Sequence, residues 1–339
     1  MRAVINRALD TTAVAAPSDD AVAFHRALSG YSPTPVHQLD AIAAELGVAA
    51  VQVKDESSRL GLPAFKILGA SWAVEHVLRH EPATDTLVAA SAGNHGRAVA
   101  HAAALRGLAC RVYLPERSLA VRRTAIAAEG ADVVVVDGSY EDAVEAAARA
   151  AREDGTALIA DVGEGGTAEW VIEGYATLFA EAAEQTTYDL ILVPVGVGSL
   201  AAAAAKHGAQ VGALVIGVEP ATAACLSASL AHGVPTPVPT PGTVMSGLDC
   251  AQISPAAWPS LHRGIAGTVT VSDNEAETAM RELSANGLTI GESGAPPLAA
   301  LRALQDDEGC HALRERLGIH AQTRALLIAT EGATGWQAS

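Results

Sequence analysis

The stretch "TLVAASAGNHGRAVAHAAALRGLACRVYLP", Thr86 to Pro115, decides the fold class. A short apolar run, "TLVAA", gives way to small polar residues, then to an Ala-rich helical pattern, then to a second apolar run ending at Pro115. Strands buried on both faces read as continuous apolar runs, and a helix-length segment between two of them marks a βαβ unit with a parallel sheet. The pattern repeats through "LAVRRTAIAAEG", "ADVVVVDG", "YEDAVEAAARAARED" and "ALIAD". A second series follows, with "YDLILVPVG" leading into "GSLAAAAAKHG", "ALVIGVEP" into "TAACLSASLAHG", "GTVTVSD" into "NEAETAMRELSANG", and "RALLIATEG" closing it. "GVPTPVPTPGT", Gly233 to Thr243, is a loop, because its prolines suit neither a central strand nor a helix interior. The expected fold is therefore α/β, with two lobes, each a mostly parallel sheet flanked by helices, and a cleft between them. Residues 1–85 and 166–339 are expected to form the larger lobe and 86–165 the smaller. Ligands in such folds bind at the carboxyl ends of the strands.

The totals exclude some functions. At 339 residues the chain suits two domains, and its core is filled mainly by Ala, Val, Leu and Ile, since it has three Phe, four Trp and five Tyr. With 22 Lys+Arg against 38 Asp+Glu, the net charge of -16 opposes binding to nucleic acid or an anionic membrane. A small anion is still possible, given a local device such as a glycine loop at a helix start. Cys110, Cys225, Cys250 and Cys310 form no C-x-x-C pair, which suggests neither a metal site nor a disulfide framework and fits a reducing, cytoplasmic setting. "MRAVINRALDTTAV" lacks the apolar core of a secretory signal, and the uncharged run Leu190 to Ala205 is too short to span a bilayer, so it reads as a buried strand turning into a helix.

Four places carry chemistry. In "GLPAFKILGAS", Gly61 to Ser71, a single charge, Lys66, stands among apolar neighbours. It either snorkels along a helix or, kept from water, loses its proton more readily and forms a Schiff base with a carbonyl cofactor. "SAGNHG", Ser91 to Gly96, joins a strand to a helix and aims backbone N–H groups at one spot, suiting a carboxylate or phosphate. Asn94 there either holds a phenolic or hydroxyl oxygen or caps the helix. "PVGVGSLA", Pro194 to Ala201, offers Gly196, Val197, Gly198, Ser199 and Leu200 as an anion loop. It also satisfies the dinucleotide fingerprint, with Glu219 about twenty residues on, so an NAD-dependent oxidoreductase is a rival reading. Thr330, in "IATEGATG", ends the last strand, where it is either a site residue or a β-forming threonine before a turn. A dinucleotide explains Gly196, Gly198 and Glu219. Pyridoxal 5'-phosphate explains Lys66, the glycine loop, Asn94 and Thr330 together.

The blocks "VKDESSRLGLPAFKILGASWA", "SAGNHGRAVA", "EWVIEGYATL", "PVGVGSLA", "TVMSGLDC", "GESGA" and "LIATEG" occur in the order seen in the diaminopropionate ammonia-lyases, which the chain resembles from Phe24 to its last strand. That family belongs to the tryptophan-synthase-β-like, or fold type II, pyridoxal-phosphate enzymes. The resemblance implies that Lys66 is the internal Schiff-base lysine. It implies that Ser91, Ala92, Gly93, Asn94 and His95 receive the substrate carboxylate, with Asn94 on the ring oxygen. Gly196 to Leu200 would hold the phosphate and Thr330 would face the pyridine nitrogen. Glu292, in "GESGA", lies in a block that usually lines the site, although a helix-start carboxylate is an equal reading.

The implied reaction is α,β-elimination from a small L-amino acid, giving a 2-keto acid and ammonia. Serine or threonine dehydration, β-replacement with the same cofactor, and a non-catalytic cofactor-binding module are the alternatives. A hydroxyl partner such as Thr330 supports a protonated pyridinium poorly, which favours expulsion of a β-substituent over transamination. Lys66 and Asp161 are the candidate bases, Asp161 by the resemblance and otherwise as a solvent-facing loop acid. The chain departs from the family at Ala92, where the family has an acid credited with acting on the D-substrate, and "SAGNHG" is instead the dehydratase form of the loop. It also has Ala333 where an acid is frequent, and it ends at Ser339, soon after Thr330. Activity restricted to L-amino acids follows, and a homodimer is expected by analogy.

Overall fold

The structure, a computed structural model, describes residues 2–333. Thr334, Gly335 and Ser339 thus lie outside the described residues. The chain divides into two compact units, Met1–Phe65 with Ala176–Ser339, and Lys66–Tyr175. The expected α/β class holds in both.

The first unit is built on a seven-stranded sheet of β1 (Ala3–Ile5), β2 (Val36–Gln38), β3 (Ala50–Asp55), β8 (Leu190–Pro194), β9 (Leu214–Pro220), β10 (Gly267–Val271) and β11 (Arg324–Ala329). Their order is β1-β10-β9-β8-β11-β3-β2. The inner five run parallel, and only the three-residue edge strands β1 and β2 pair antiparallel. Every residue of β8 and β10 is buried, as helices on both faces of a parallel sheet require. From β8 the chain steps outward to β9 and β10, then returns to β11 on the other side of β8. The loops after β8 and β11 therefore leave the sheet at the point where the winding reverses, which is where such sheets bind ligands.

The second unit repeats this plan in small. Its strands β4 (Thr86–Ala90), β5 (Ala109–Pro115), β6 (Asp132–Val136) and β7 (Thr156–Leu158) are all parallel in the order β6-β5-β4-β7. The winding reverses between β4 and β7. Val88 pairs with Leu158, so Ser91 and Asp161 stand equally far past the last paired residues of neighbouring strands.

The unit boundaries differ from the sequence expectation of 85/86 and 165/166, and helix packing is the reason. The helices Lys66–His80 and Thr167–Gly174 pack on one another and go with the smaller unit. A Cβ on Gly69 would lie 2.7 Å from Tyr175 Cε1 and 2.8 Å from the Val171 carbonyl oxygen, and one on Gly174 would lie 2.5 Å from the Leu68 carbonyl oxygen. Two facing glycines thus let these backbones touch. Gly69→Ala gains about 1 kcal/mol of helix propensity but overpacks against a backbone oxygen, which costs about 1–3 kcal/mol. The overpacking wins because backbone cannot rotate aside, and the urea midpoint of Gly69→Ala is expected to fall.

Candidate active site

Lys66 is the first residue of its helix, and its Nζ donates to Asp161 Oδ2 at 2.9 Å. The two side chains are 21% and 17% exposed, so Lys66 does not snorkel into water and Asp161 is not a solvent-facing loop acid. Asp161 is held there by the end of β7, where the Ile159 N–H donates to the Val88 carbonyl at 2.8 Å. The Ala160 N–H donates to Thr167 Oγ1 at 3.1 Å, which closes the glycine-rich loop that carries the carboxylate. Burial works to raise the pKa of Asp161, but positive charge facing it, from the His95 imidazole when that ring is protonated and from the Lys66 ammonium with its hydrogen bond, outweighs burial and holds the carboxyl below the usual carboxylate range. Nζ also lies 6.0 Å from the centre of the Tyr175 ring, a fully buried phenol that burial pushes up to about 12.

The turn after β4 supplies the next residues. The Ser91 N–H donates to the Tyr113 carbonyl at 3.2 Å, and Ser91 Oγ accepts from the Gly93 N–H at 3.2 Å, so the hydroxyl shapes the loop. Ala92, Gly93 and Asn94 are half-buried. Gly93 is the N-cap, and Asn94 already lies within the helix Asn94–Arg106, so the capping role read for Asn94 is overturned: the chain turns helical one residue earlier. His95 is 4% exposed, with Nε2 3.0 Å from the Ile159 carbonyl oxygen and Nδ1 3.8 Å from Asp161 Oδ2. Burial pushes the imidazole below the ordinary histidine pKa, against the opposing charge of Asp161, which favours the neutral ring.

In the first unit, Gly196, Val197 and Gly198 connect β8 to the helix Ser199–Val211. Gly198 is the N-cap in the left-handed region, φ +94, which a side chain would strain, and no side chain caps the helix. The Val197 carbonyl accepts from the Ser254 N–H at 2.8 Å, which fixes the turn. Ser199 and Leu200 open the helix and are buried. Just past the neighbouring strand β11, Thr330 is 5% exposed and its Oγ1 donates to the Ser293 carbonyl at 3.2 Å. Its own carbonyl accepts from Phe65, the residue before Lys66, at 3.2 Å. The "GESGA" block is knitted in as well, with the Ser293 N–H donating to Glu331 Oε1 at 3.1 Å. Glu292 is buried in the turn before the helix Pro296–Asp306, whose first turn holds no acid, so the helix-start reading of Glu292 does not hold.

Glu219 is not a ribose-binding acid. It is fully buried in β9 and accepts from the Leu226 N–H at 2.6 Å, the Ser227 N–H at 2.8 Å and Ser227 Oγ at 2.6 Å, which commits both oxygens to the start of the next helix. The dinucleotide fingerprint loses its second half. Two features escaped the sequence reading. Tyr175 belongs to the "EWVIEGYATL" block, and only that resemblance could have flagged it. Lys54, Glu56 and Arg59 of "VKDESSR" are buried charges that meet Glu181: Lys54 Nζ lies 2.7 Å from Oε2, and Arg59 bonds both Glu56 and Glu181. They tether the loop that precedes Lys66, and only the distant Glu181 makes their burial intelligible.

Residues 27–316 match the family described as pyridoxal-phosphate dependent enzyme. The chain is 33% identical to diaminopropionate ammonia-lyase of Salmonella typhimurium over 93% of its own length and 89% of that protein. Among solved structures it is similar to Escherichia coli diaminopropionate ammonia lyase in complex with an aminoacrylate-PLP azomethine reaction intermediate. That likeness has a TM-score of 0.89 and 30% identity, and covers 98% of this chain and 94% of that one. Maize serine racemase is similar at a TM-score of 0.82 and 26% identity, over 96% and 94% of the two chains. These likenesses agree with the two parallel sheets, and they leave no place for the oxidoreductase reading. The chain therefore belongs to the pyridoxal-phosphate-dependent enzymes of fold type II, in the family that contains the diaminopropionate ammonia-lyases.

Proposed function

We propose that this chain catalyses α,β-elimination from a small L-amino acid bearing an amino or hydroxyl group on Cβ, releasing a 2-keto acid and ammonia, with L-2,3-diaminopropionate as the first candidate substrate. The observation that carries this reading is the 2.9 Å contact between Lys66 Nζ and Asp161 Oδ2. An amine that exchanges with Nζ brings its own Cα–H to the carboxylate that Nζ now touches. When bound, pyridoxal 5'-phosphate supplies an aldehyde for attachment and an electron sink that acidifies the Cα–H bond.

The residues fit that group. The helix Ser199–Val211 starts at a left-handed glycine with no side-chain cap, and a helix start of that kind suits an anion, so Gly196 to Leu200 hold the phosphate. Lys66 holds the aldehyde carbon, Asn94 the ring oxygen and Thr330 the ring nitrogen. Ser91 to His95 bind the substrate carboxylate, largely through backbone N–H groups. Asp161 takes the Cα proton, and Lys66, once released, is the second base. The larger unit then supplies the phosphate loop and Thr330, and the smaller one supplies Lys66, Asn94 and the turn for the substrate carboxylate. By analogy with the class we propose a cytoplasmic homodimer, which sedimentation velocity reads directly.

Ala92 favours a second reading of the leaving group. The half-buried turn carries a methyl where the family has an acid, as in the serine and threonine dehydratases, so a hydroxyl leaving group competes with an amino one. Ammonia and keto acid release over the L- and D-forms of diaminopropionate, serine and threonine tests both, and added nucleophiles expose β-replacement. No release from any of them would refute the proposal. A methyl group cannot move a proton, so the native enzyme is expected to act on L-isomers alone. Ala92→Asp is expected to gain elimination from a D-isomer, read as ammonia release above the native background.

A further inference from the structure

His95 carries an inference that rests on the elimination reading above. Its ring is buried, with Nε2 3.0 Å from the Ile159 carbonyl oxygen, which can only accept, so Nε2 bears the proton. In a neutral imidazole this leaves Nδ1 as a bare acceptor. Nδ1 has no hydrogen-bond partner among the described residues, yet it faces Asp161 Oδ2 at 3.8 Å. A bare nitrogen acceptor turned toward an ionised carboxylate gains no hydrogen bond from it, while Asp161 Oδ2 accepts from Lys66 Nζ at 2.9 Å. The mismatch disappears once the carboxylate has taken up a proton, because the acid then has a basic nitrogen to donate to.

We propose that His95 is a positioning residue for proton abstraction, held through Nε2 by the Ile159 carbonyl so that Nδ1 accepts the proton Asp161 takes from the substrate Cα. The electron pair of the broken C–H bond leaves toward Cβ and expels the β-substituent. The proton moves from Asp161 Oδ2 to His95 Nδ1, giving a carboxylate beside an imidazolium, and returns over Oδ2 to solvent when the products leave. No oxidant or reductant enters. Moving the proton off Oδ2 prevents its immediate return to Cα, so each abstraction is committed to elimination.

His95→Gln tests this in the cofactor-loaded enzyme. A glutamine amide can keep the bond to the Ile159 carbonyl but offers no base at the place of Nδ1. The expected result is a kcat lower by roughly 10–100-fold, with KM and the cofactor absorbance within about 2-fold of the native enzyme. In an Asp161→Asn background the same change is expected to cost less than about 2-fold, since the two act as a unit. An undiminished cost in that background, or a native kcat in His95→Gln, overturns the proposal. Nitrogen-15 NMR of histidine-labelled native enzyme tests it without any variant: a proton on Nε2 at rest supports it, and one on Nδ1 overturns it. Absence of keto acid release by the native enzyme would instead defeat the elimination reading, leaving the tautomer result standing.

Discussion

Lys66→Ala is expected to lose both covalent attachment of pyridoxal 5'-phosphate and turnover, the latter by roughly 10³-fold or more. Borohydride reduction followed by peptide mass spectrometry should fix the cofactor on Lys66 in the native chain and nowhere in the variant. The same change removes the hydrogen bond and the ammonium that face Asp161 Oδ2 at 2.9 Å. Losing that partner costs roughly 1–3 kcal/mol at neutral pH, which lowers the melting temperature without unfolding the protein. A variant that keeps most of its activity would refute the assignment of Lys66, and with it the site described here.

Asp161→Asn is expected to lower kcat on an L-substrate by roughly 10² to 10⁴-fold, the range of a positioned general base, while the cofactor still attaches to Lys66. Attachment without turnover separates the two roles. Stability adds an independent check. The carboxyl of Asp161 has a lower pKa folded than unfolded, so the ionised group stabilises the native state above the ordinary aspartate pKa, and that contribution fades as the pH falls through the folded value. The native enzyme should therefore exceed Asp161→Asn in denaturant midpoint at pH 7, with the gap narrowing below about pH 4. A gap that widens with acid would contradict the ion pair.

The strands of the smaller unit and four of those in the larger one were legible because each is a run of apolar residues flanked by helical periodicity. The edge strands Ala3–Ile5 and Val36–Gln38 were not, since three residues are too few to show an alternation, and neither was Ala50–Asp55, whose buried Gln52 and Lys54 break its apolar run. The helix Lys66–His80 was assigned to the larger lobe from chain order alone. Its packing on Thr167–Gly174, through Gly69 and Gly174, depends on residues a hundred positions apart, which no local pattern contains.

By itself the sequence determined that the chain is a parallel α/β protein, that one lysine stands in apolar company, and that glycine turns end two of its strands. These are properties of neighbouring residues, and periodicity or turn chemistry expresses them directly. Only the tertiary structure decided that Asp161 meets Lys66, that Glu219 spends its oxygens on a helix start, and that the ring of His95 is buried with one nitrogen turned to Asp161. Ionisable side chains acquire their roles from partners brought to within 4 Å by the folding of distant segments, and the Coulomb and desolvation energies that set those roles depend on that separation and burial, not on spacing along the chain.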